Sequence, residues 1–179
     1  HSTDRFYPLD NWVFNRTISK MFNKIRADVY EAHAISGYGF LNILRKQKIK
    51  KPFIQTVHGV LADEYIKSSK SVSPSLKIKL SNFFMRYLGR IEKDVTRKAT
   101  VIVTVSQYSA QKIVELYGVD RKRIRIVPNG VDIQKFKPAE EYEKVKGLIG
   151  GNCENVLLFV GNLIPRKGLH FLIEAAKYI

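Results

Sequence analysis

The stretch VIVTVSQYSAQKIVELYGVDRKRIRIVPNGVDIQKF, residues 101–136, decides the fold predicted for this chain. It begins with five β-branched residues, a run that is typical of a buried parallel strand. Ser106 follows at a helix N-cap position, a helix is predicted over 107–117, and Gly118 stands where the helix end favours a positive φ. A second strand is predicted at 124–127, before the turn residues Pro-Asn-Gly. The order strand, helix, strand predicts a βαβ unit and therefore a parallel α/β sheet.

Two strands predicted further upstream each end in a histidine. The segment ADVYEAH ends at His33, and the segment PFIQTVH ends at His58. Gly37 and Gly59 follow these strands, and glycine lets a backbone approach a ligand closely. Ligands of open α/β sheets bind beyond the carboxyl ends of the strands, so both histidines are candidate site residues. His33 could equally be a structural histidine, and the structural alternative for His58 is a buried histidine that caps a strand turn.

The apolar spacing predicts three amphipathic helices around these strands. They cover 10–26, with Asp10 as N-cap, then 37–49 and 76–98. The polar, serine-rich segment at 60–75 is predicted to be a loop. The last of the three helices is basic, which suits either a solvated face packed on the sheet or contact with an anionic membrane surface.

Composition restricts the partners that the chain can have. It has 179 residues and carries 31 Lys and Arg against 16 Asp and Glu, a formal net charge of +15. Nucleic acid, acidic lipid and phosphorylated small molecules are therefore all suitable partners. The single cysteine excludes an internal disulfide, and no apolar run reaches the roughly 18 residues of a membrane span. We expect a cytoplasmic protein that can also lie peripherally at the inner membrane face.

The segment VSQYSAQKIVELYGVDRKRIRIVPNGVDIQKFKP resembles a signature of the retaining glycosyltransferases of family 4. Its PNGVD motif, followed by Phe and Pro, is the most specific part. ADVYEAH and TVHG are similar to two further segments of that family. The resemblance implies a Rossmann-like parallel sheet flanked by helices, as one part of the two-domain GT-B architecture. It also implies a hexosyltransferase-type enzyme that moves sugar, with retention, from a nucleotide-diphosphate sugar to a glycan, lipid or small-molecule acceptor.

The resemblance also implies a domain organisation. Residues 1–136 correspond to an acceptor-side Rossmann-like domain without its first strands, 137–152 to an interdomain linker, and 153–179 to the first strand and helix of a donor-binding domain. The family's glycine-rich loop would precede His1, and its pair of glutamates would follow Ile179. We therefore expect a fragment that transfers no sugar by itself and that is prone to self-association.

The same resemblance assigns roles on the acceptor side of the cleft. His58 corresponds to the active-site histidine, near the reacting sugar or the acceptor. The remaining substrate-binding candidates on this side are His33, Gly37, Gly59, Gly130 and Asp132. The last two would shape the cleft floor, although Asp132 can instead cap its own turn, as Asx residues do.

On the donor side, the family pattern is Gly-Arg, a short loop and Lys-Gly, whose Arg and Lys contact the diphosphate. Lys167 matches this pattern, whereas Asn162 stands at the arginine position and brings no charge. Arg166 is a nearby substitute. The donor is a substrate, and no further cofactor is expected.

Other function classes stay open on the residues alone. A basic nucleic-acid- or membrane-surface-binding α/β module without catalysis fits the charge, although no nucleic-acid-binding motif appears and no specific nucleic-acid partner is expected. A sugar-nucleotide epimerase would share the architecture but not the PNGVD-type signature. The four histidines and one cysteine show no metal-ligand spacing, so no metal is expected.

Overall fold

A computed structural model describes residues 7–48, 50–69, 76–138, 147, 156–163 and 167–178. Residues up to Gly130 form one compact unit, and residues from Val131 form a second. Within the described parts of the chain, no helix is long and apolar enough to cross a membrane. Most of the predicted linker at 137–152 lies outside the described residues, and the predicted domain boundaries stay a prediction.

A four-stranded, fully parallel sheet forms the first unit, as predicted. Its strands are β1 (Tyr30–His33), β2 (Phe53–Val57), β3 (Val101–Thr104) and β4 (Ile124–Ile126), in the spatial order β1-β2-β3-β4. His33 lies opposite Thr56 in the β1–β2 register. All four strands run the same way, so their carboxyl ends lie along one edge of the sheet.

Five helices precede or connect these strands in the described residues: α1 (Tyr7–Met21), α2 (Tyr38–Lys46), α3 (Leu61–Ser69), α4 (Leu76–Lys98) and α5 (Gln107–Lys112). Helix α1 is followed by a 3₁₀ turn at Phe22–Lys24. Helix α5 continues as a π-helical turn over Ile113–Tyr117, and a 3₁₀ turn follows at Arg121–Arg123. The predicted caps of α5 are confirmed. Ser106 Oγ accepts the backbone N–H of Ser109 at 3.1 Å, and Gly118 has φ 65°.

Two local predictions in the first unit were wrong. Asp10 is not an N-cap, because helix α1 already includes Tyr7. Residues 61–69 form helix α3 rather than a loop, and 70–75 lie outside the described residues. Contact with the long helix α4 stabilises α3, and a tertiary contact of that kind overrides the loop signal of a polar segment.

The core lies on one face of the sheet. Crossovers between parallel strands are almost always right-handed. Because each strand of this sheet lies beside the next one in the chain, always in the same direction, the connecting helices all lie on the same face of the sheet. Sheet side chains that are at most 2% exposed all point to that face: Phe53, Gln55, Val57, Ile102, Thr104 and Ile124. On the opposite face, β1 presents Glu31 and His33, both exposed. This asymmetry leaves the second face accessible at the carboxyl end of β1.

The second unit contains helix α6 (Leu169–Ala175) and a 3₁₀ turn at Ala176–Tyr178. The helix confirms that the segment after Gly168 is helical. The strand predicted before it does not form over residues 156–161. A strand requires a hydrogen-bonded partner strand, and the described residues of this unit provide none.

Candidate active site at the carboxyl ends of β1 and β2

The two histidines predicted from the strand ends lie side by side. His33 is the last residue of β1, and His58 follows the last residue of β2. Their rings lie edge to edge, with centroids 5.2 Å apart and planes 13° apart, and His33 Nδ1 lies 2.9 Å from His58 Nε2. Strand alternation explains this pairing. His33 on β1 lies next to Thr56 on β2, so both side chains point to the same face of the sheet. Side chains two residues apart share a face, which brings His58 to that face as well.

Two polar side chains that the sequence patterns did not identify complete this cluster. Thr56 Oγ1 donates a hydrogen bond of 2.7 Å to Glu31 Oε1, and the same oxygen lies 3.5 Å from His33 Nε2. Glu31 precedes His33 by two residues, which places both side chains on one face of a strand. That spacing was visible in the sequence, but only the strand pairing places Thr56 beside them.

The backbone after His33 is held by several hydrogen bonds. Ser36 Oγ donates to His33 O at 2.6 Å and accepts from His33 N at 3.1 Å. Ala34 has φ 49°, a left-handed conformation that costs a residue with a Cβ about 1 kcal/mol. Its carbonyl accepts from Gln55 Nε2 at 2.5 Å. The turn therefore fixes the direction in which the His33 ring leaves the sheet.

Of the two substrate-binding candidates Gly37 and Gly59, only Gly37 has a packing reason to be glycine. A Cβ at Gly37 would lie 2.7 Å from Phe53 Cζ and 2.9 Å from Ala32 Cβ. A Cβ at Gly59 would lie 3.0 Å from Glu64 Oε1. At Gly37 the missing side chain lets neighbouring elements approach closely, whereas the atom near Gly59 is the end of the flexible Glu64 side chain, which can move away.

Replacing Gly37 with alanine is expected to lower the free energy of unfolding by about 1–3 kcal/mol, the usual cost of overpacking a core. Gly130→Ala is the matched control, because a Cβ there meets no atom within 4 Å. We expect that control to lie within about 0.5 kcal/mol of the wild type in urea unfolding. Equal stability of the two variants would contradict the packing role of Gly37.

A buried acidic side chain holds the segment that follows His58. Glu92, on α4, is fully buried, and its Oε2 accepts the backbone N–H of Leu61 at 2.9 Å and the hydroxyl of Tyr117. Leu61 is the first residue of α3, three positions after His58. Burial raises the pKa of Glu92 to about 7, although the hydrogen bonds from Tyr117 and Leu61 oppose that rise. Burial and the neighbouring Glu92 carboxylate likewise raise the pKa of Tyr117.

The PNGVD turn runs from the first unit into the second, and its two candidate residues have different surroundings. Gly130 closes the first unit in an exposed position. Asp132 belongs to the second unit, where its Oδ1 accepts the backbone N–H groups of Gln134 at 3.0 Å and Lys135 at 3.1 Å. This is the turn-capping alternative considered for Asp132.

The donor-side candidates all belong to the second unit. Asn162 and Lys167 are exposed, and Gly168, with φ 71°, stands at the N-cap of α6. Arg166 lies outside the described residues. A diphosphate role for these side chains stays a prediction.

Cavities lie near both ends of β1. The larger cavity, of about 550 Å³, opens between Phe22, Asp28 and Lys51 at the amino end of β1, away from the histidines. A smaller one, of about 180 Å³, is lined by Glu31, Gly37 and Phe14 and therefore adjoins the polar cluster. Among the described residues no group of three His, Cys, Asp or Glu side chains is arranged to hold a metal ion.

Comparisons with known proteins give consistent matches. The family model "Glycosyltransferase Family 4" matches residues 3–135. The chain is 32% identical over 166 residues to the UDP-Gal:alpha-D-GlcNAc-diphosphoundecaprenol alpha-1,3-galactosyltransferase of Escherichia coli, covering 91% of this chain and 39% of that protein. It is 28% identical over 138 residues to the D-inositol 3-phosphate glycosyltransferase of Nocardia farcinica, covering 77% and 29%. The chain thus spans well under half the length of the curated relatives that it matches.

Proposed function

Because the chain belongs to glycosyltransferase family 4, we propose that it forms the acceptor side of an enzyme that transfers a hexose from a nucleotide-diphosphate sugar, with retention. The acceptor would be a glycan, a lipid or a small molecule. The relatives' names support this range, since one transfers galactose from UDP-Gal to a diphosphoundecaprenol-linked sugar and another acts on an inositol phosphate. The observation that carries the proposal is the His33–His58 pair at the carboxyl ends of adjacent parallel strands.

The roles that we assign to individual residues follow from the chemistry that glycosyl transfer requires. Breaking the bond between sugar and phosphate builds negative charge on the diphosphate, which cationic side chains stabilise. We assign that role to Lys167, together with Asn162 and Arg166, the other two donor-side candidates of the sequence. His58 orients the acceptor hydroxyl toward the sugar, and the leaving phosphate takes the proton of that hydroxyl. No metal and no cofactor besides the donor takes part in this scheme.

Replacing His58 with alanine in the proposed enzyme is expected to lower kcat on the order of 10²-fold, the usual cost of misplacing a reacting group by about 1 Å. The measurement is release of nucleoside diphosphate from UDP-, GDP- and ADP-hexoses. Lys51→Ala is the control, because Lys51 lies at the opposite end of the sheet in a surface ion pair with Asp28. Wild-type turnover by His58→Ala would contradict the assignment. The 179-residue chain by itself is expected to give no turnover.

The basic helix α4 presents an apolar stripe that suits a membrane surface. Leu80, Phe83 and Tyr87 recur at helical spacing and are 58%, 68% and 56% exposed. Exposed Arg86 and Arg90 lie on the same helix. Aromatic side chains beside cationic ones are the composition of helices that bind anionic lipid. We therefore propose peripheral contact of this helix with the inner face of the cytoplasmic membrane, where a lipid acceptor would be presented.

The double variant Phe83→Ser/Tyr87→Ser is expected to bind vesicles of phosphatidylglycerol and phosphatidylcholine at least about tenfold more weakly than the wild type, because two large apolar groups are lost. Sedimentation with the vesicles measures the binding. Phe136→Ser is the matched control, an aromatic residue that is 65% exposed outside helix α4. Equal loss in the control, or undiminished binding by the double variant, would exclude helix α4 as the contact surface.

A further inference from the structure

The acidic residue beside the histidine pair has no role in the scheme above. Glu31 shares a strand face with His33, and its Oε1 lies 3.5 Å from His33 Nε2. Thr56 donates 2.7 Å to the same oxygen, and Thr56 is only 6% exposed. A hydroxyl anchored on a central strand therefore fixes the rotamer of the carboxylate. Glu31 is held toward His33 rather than left to rotate in solvent.

The arrangement determines which imidazole nitrogens carry protons. A carboxylate only accepts hydrogen bonds, so the nitrogen that faces Glu31, His33 Nε2, is the protonated one. In the neutral His33 ring, Nδ1 then holds the lone pair. His58 Nε2, 2.9 Å away, must donate to it, which leaves the lone pair of His58 on Nδ1. The opposite assignment would place a lone pair of His33 against a negative charge.

We propose that Glu31 is a positioning residue that acts through His33 and sets the tautomer and ring orientation of His58. His58 Nδ1 is then the atom that accepts a hydrogen bond from a second, non-reacting hydroxyl of the acceptor, since the one proton of the reacting hydroxyl goes to the leaving phosphate. Only this last step rests on the proposed function, because the proton positions follow from the cluster alone. The role is one of orientation: a tautomer fixed before substrate arrives presents an acceptor nitrogen at the strand edge in every molecule.

The first test measures the proton positions in the ¹⁵N-labelled 179-residue chain. A nitrogen–nitrogen coupling across the hydrogen bond is expected, with the proton on His58 Nε2 and the acceptor at His33 Nδ1. Glu31→Ala is expected to abolish this coupling, and Glu31→Gln to retain it, since the amide oxygen can accept from both Thr56 and His33. Asp28→Ala is the matched control, an exposed acidic residue near the amino end of β1 whose loss should leave the coupling unchanged.

A proton on His33 Nδ1 in the wild type, or an undiminished coupling in Glu31→Ala, would overturn the inference. Far-UV circular dichroism checks that each variant is folded. Glu31 is half exposed, so the alanine variant is expected to fold like the wild type.

The second test measures turnover in the proposed enzyme. Glu31→Ala is expected to lower kcat about tenfold without changing the KM for the donor, and Glu31→Gln to recover most of the loss, because a positioning residue contributes only part of what His58 contributes. If His58→Ala is inactive while Glu31→Ala turns over normally, the inference is wrong. If the coupling behaves as expected but His58→Ala is fully active, the tautomer control holds and the proposed function of His58 fails.

Discussion

Tyr117→Ala is expected to lower the free energy of unfolding by about 3–5 kcal/mol, the usual cost of truncating a fully buried aromatic residue. Tyr117 is 0% exposed, and its ring belongs to the main hydrophobic core with Ile113 and Ile102. Its hydroxyl donates to Glu92, so alanine also removes a partner of a buried carboxylate. Urea unfolding followed by circular dichroism measures the change.

Two controls separate the parts of this effect. Tyr117→Phe keeps the ring and removes only the hydroxyl, and it is expected to cost about 1–3 kcal/mol, the cost of leaving a buried polar group with one partner fewer. Tyr178→Ala removes an 82% exposed tyrosine and is expected to change stability by less than about 0.5 kcal/mol. A Tyr117→Ala protein within about 1 kcal/mol of the wild type would show that the α4–α5 contact contributes little to folding.

Glu92 is expected to make the chain less stable as the pH rises from about 4.5 to 7. Burial raises its pKa from 4.5 to about 7, so the folded state holds a proton that the unfolded state releases over this range. The proton-linked stability is complete below pH 4.5, falls as the pH rises, and is lost once the pH exceeds the folded-state pKa. Since each unit of pKa difference corresponds to about 1.4 kcal/mol, the loss attributable to Glu92 is about 3 kcal/mol.

Glu92→Gln isolates this contribution, because a neutral amide resembles the protonated acid and does not titrate. Unfolding free energies of the two proteins, measured by urea titration from pH 4 to 8, should diverge as the pH rises, with the variant losing less stability than the wild type. Every other side chain is the same in the two proteins, so its contribution cancels in the difference. Parallel curves would mean that Glu92 ionises in the folded state as it does in the unfolded chain.

Tyr117 and Glu92 both hold the segment that follows His58. Glu92 holds the first backbone N–H of α3, and α3 begins three residues after His58. Ionisation of this buried carboxylate therefore acts on the helix that directly follows the catalytic candidate. A change in the position of α3 would reach His58 through only Gly59 and Val60.

The sequence by itself determined the fold class and the positions of the two histidines. The β-branched run at 101–105 and the capped helix after it predicted a parallel α/β sheet, and the sheet is parallel. His33 and His58 could be placed at strand ends because strand alternation and the turn residues after them are local signals. The same local signals failed for α3, which forms where a serine-rich loop was predicted.

Only the tertiary structure decided what surrounds these residues. The register that places Thr56 opposite His33 brings Glu31, Thr56 and His58 into one cluster, and it joins residues about 25 positions apart. The buried Glu92 likewise appears in the sequence as an ordinary polar position of a basic helix, and its partners come from two other elements. Local patterns specify which way a side chain points within its own element. The pairing between elements, which no local pattern encodes, decides which side chains meet.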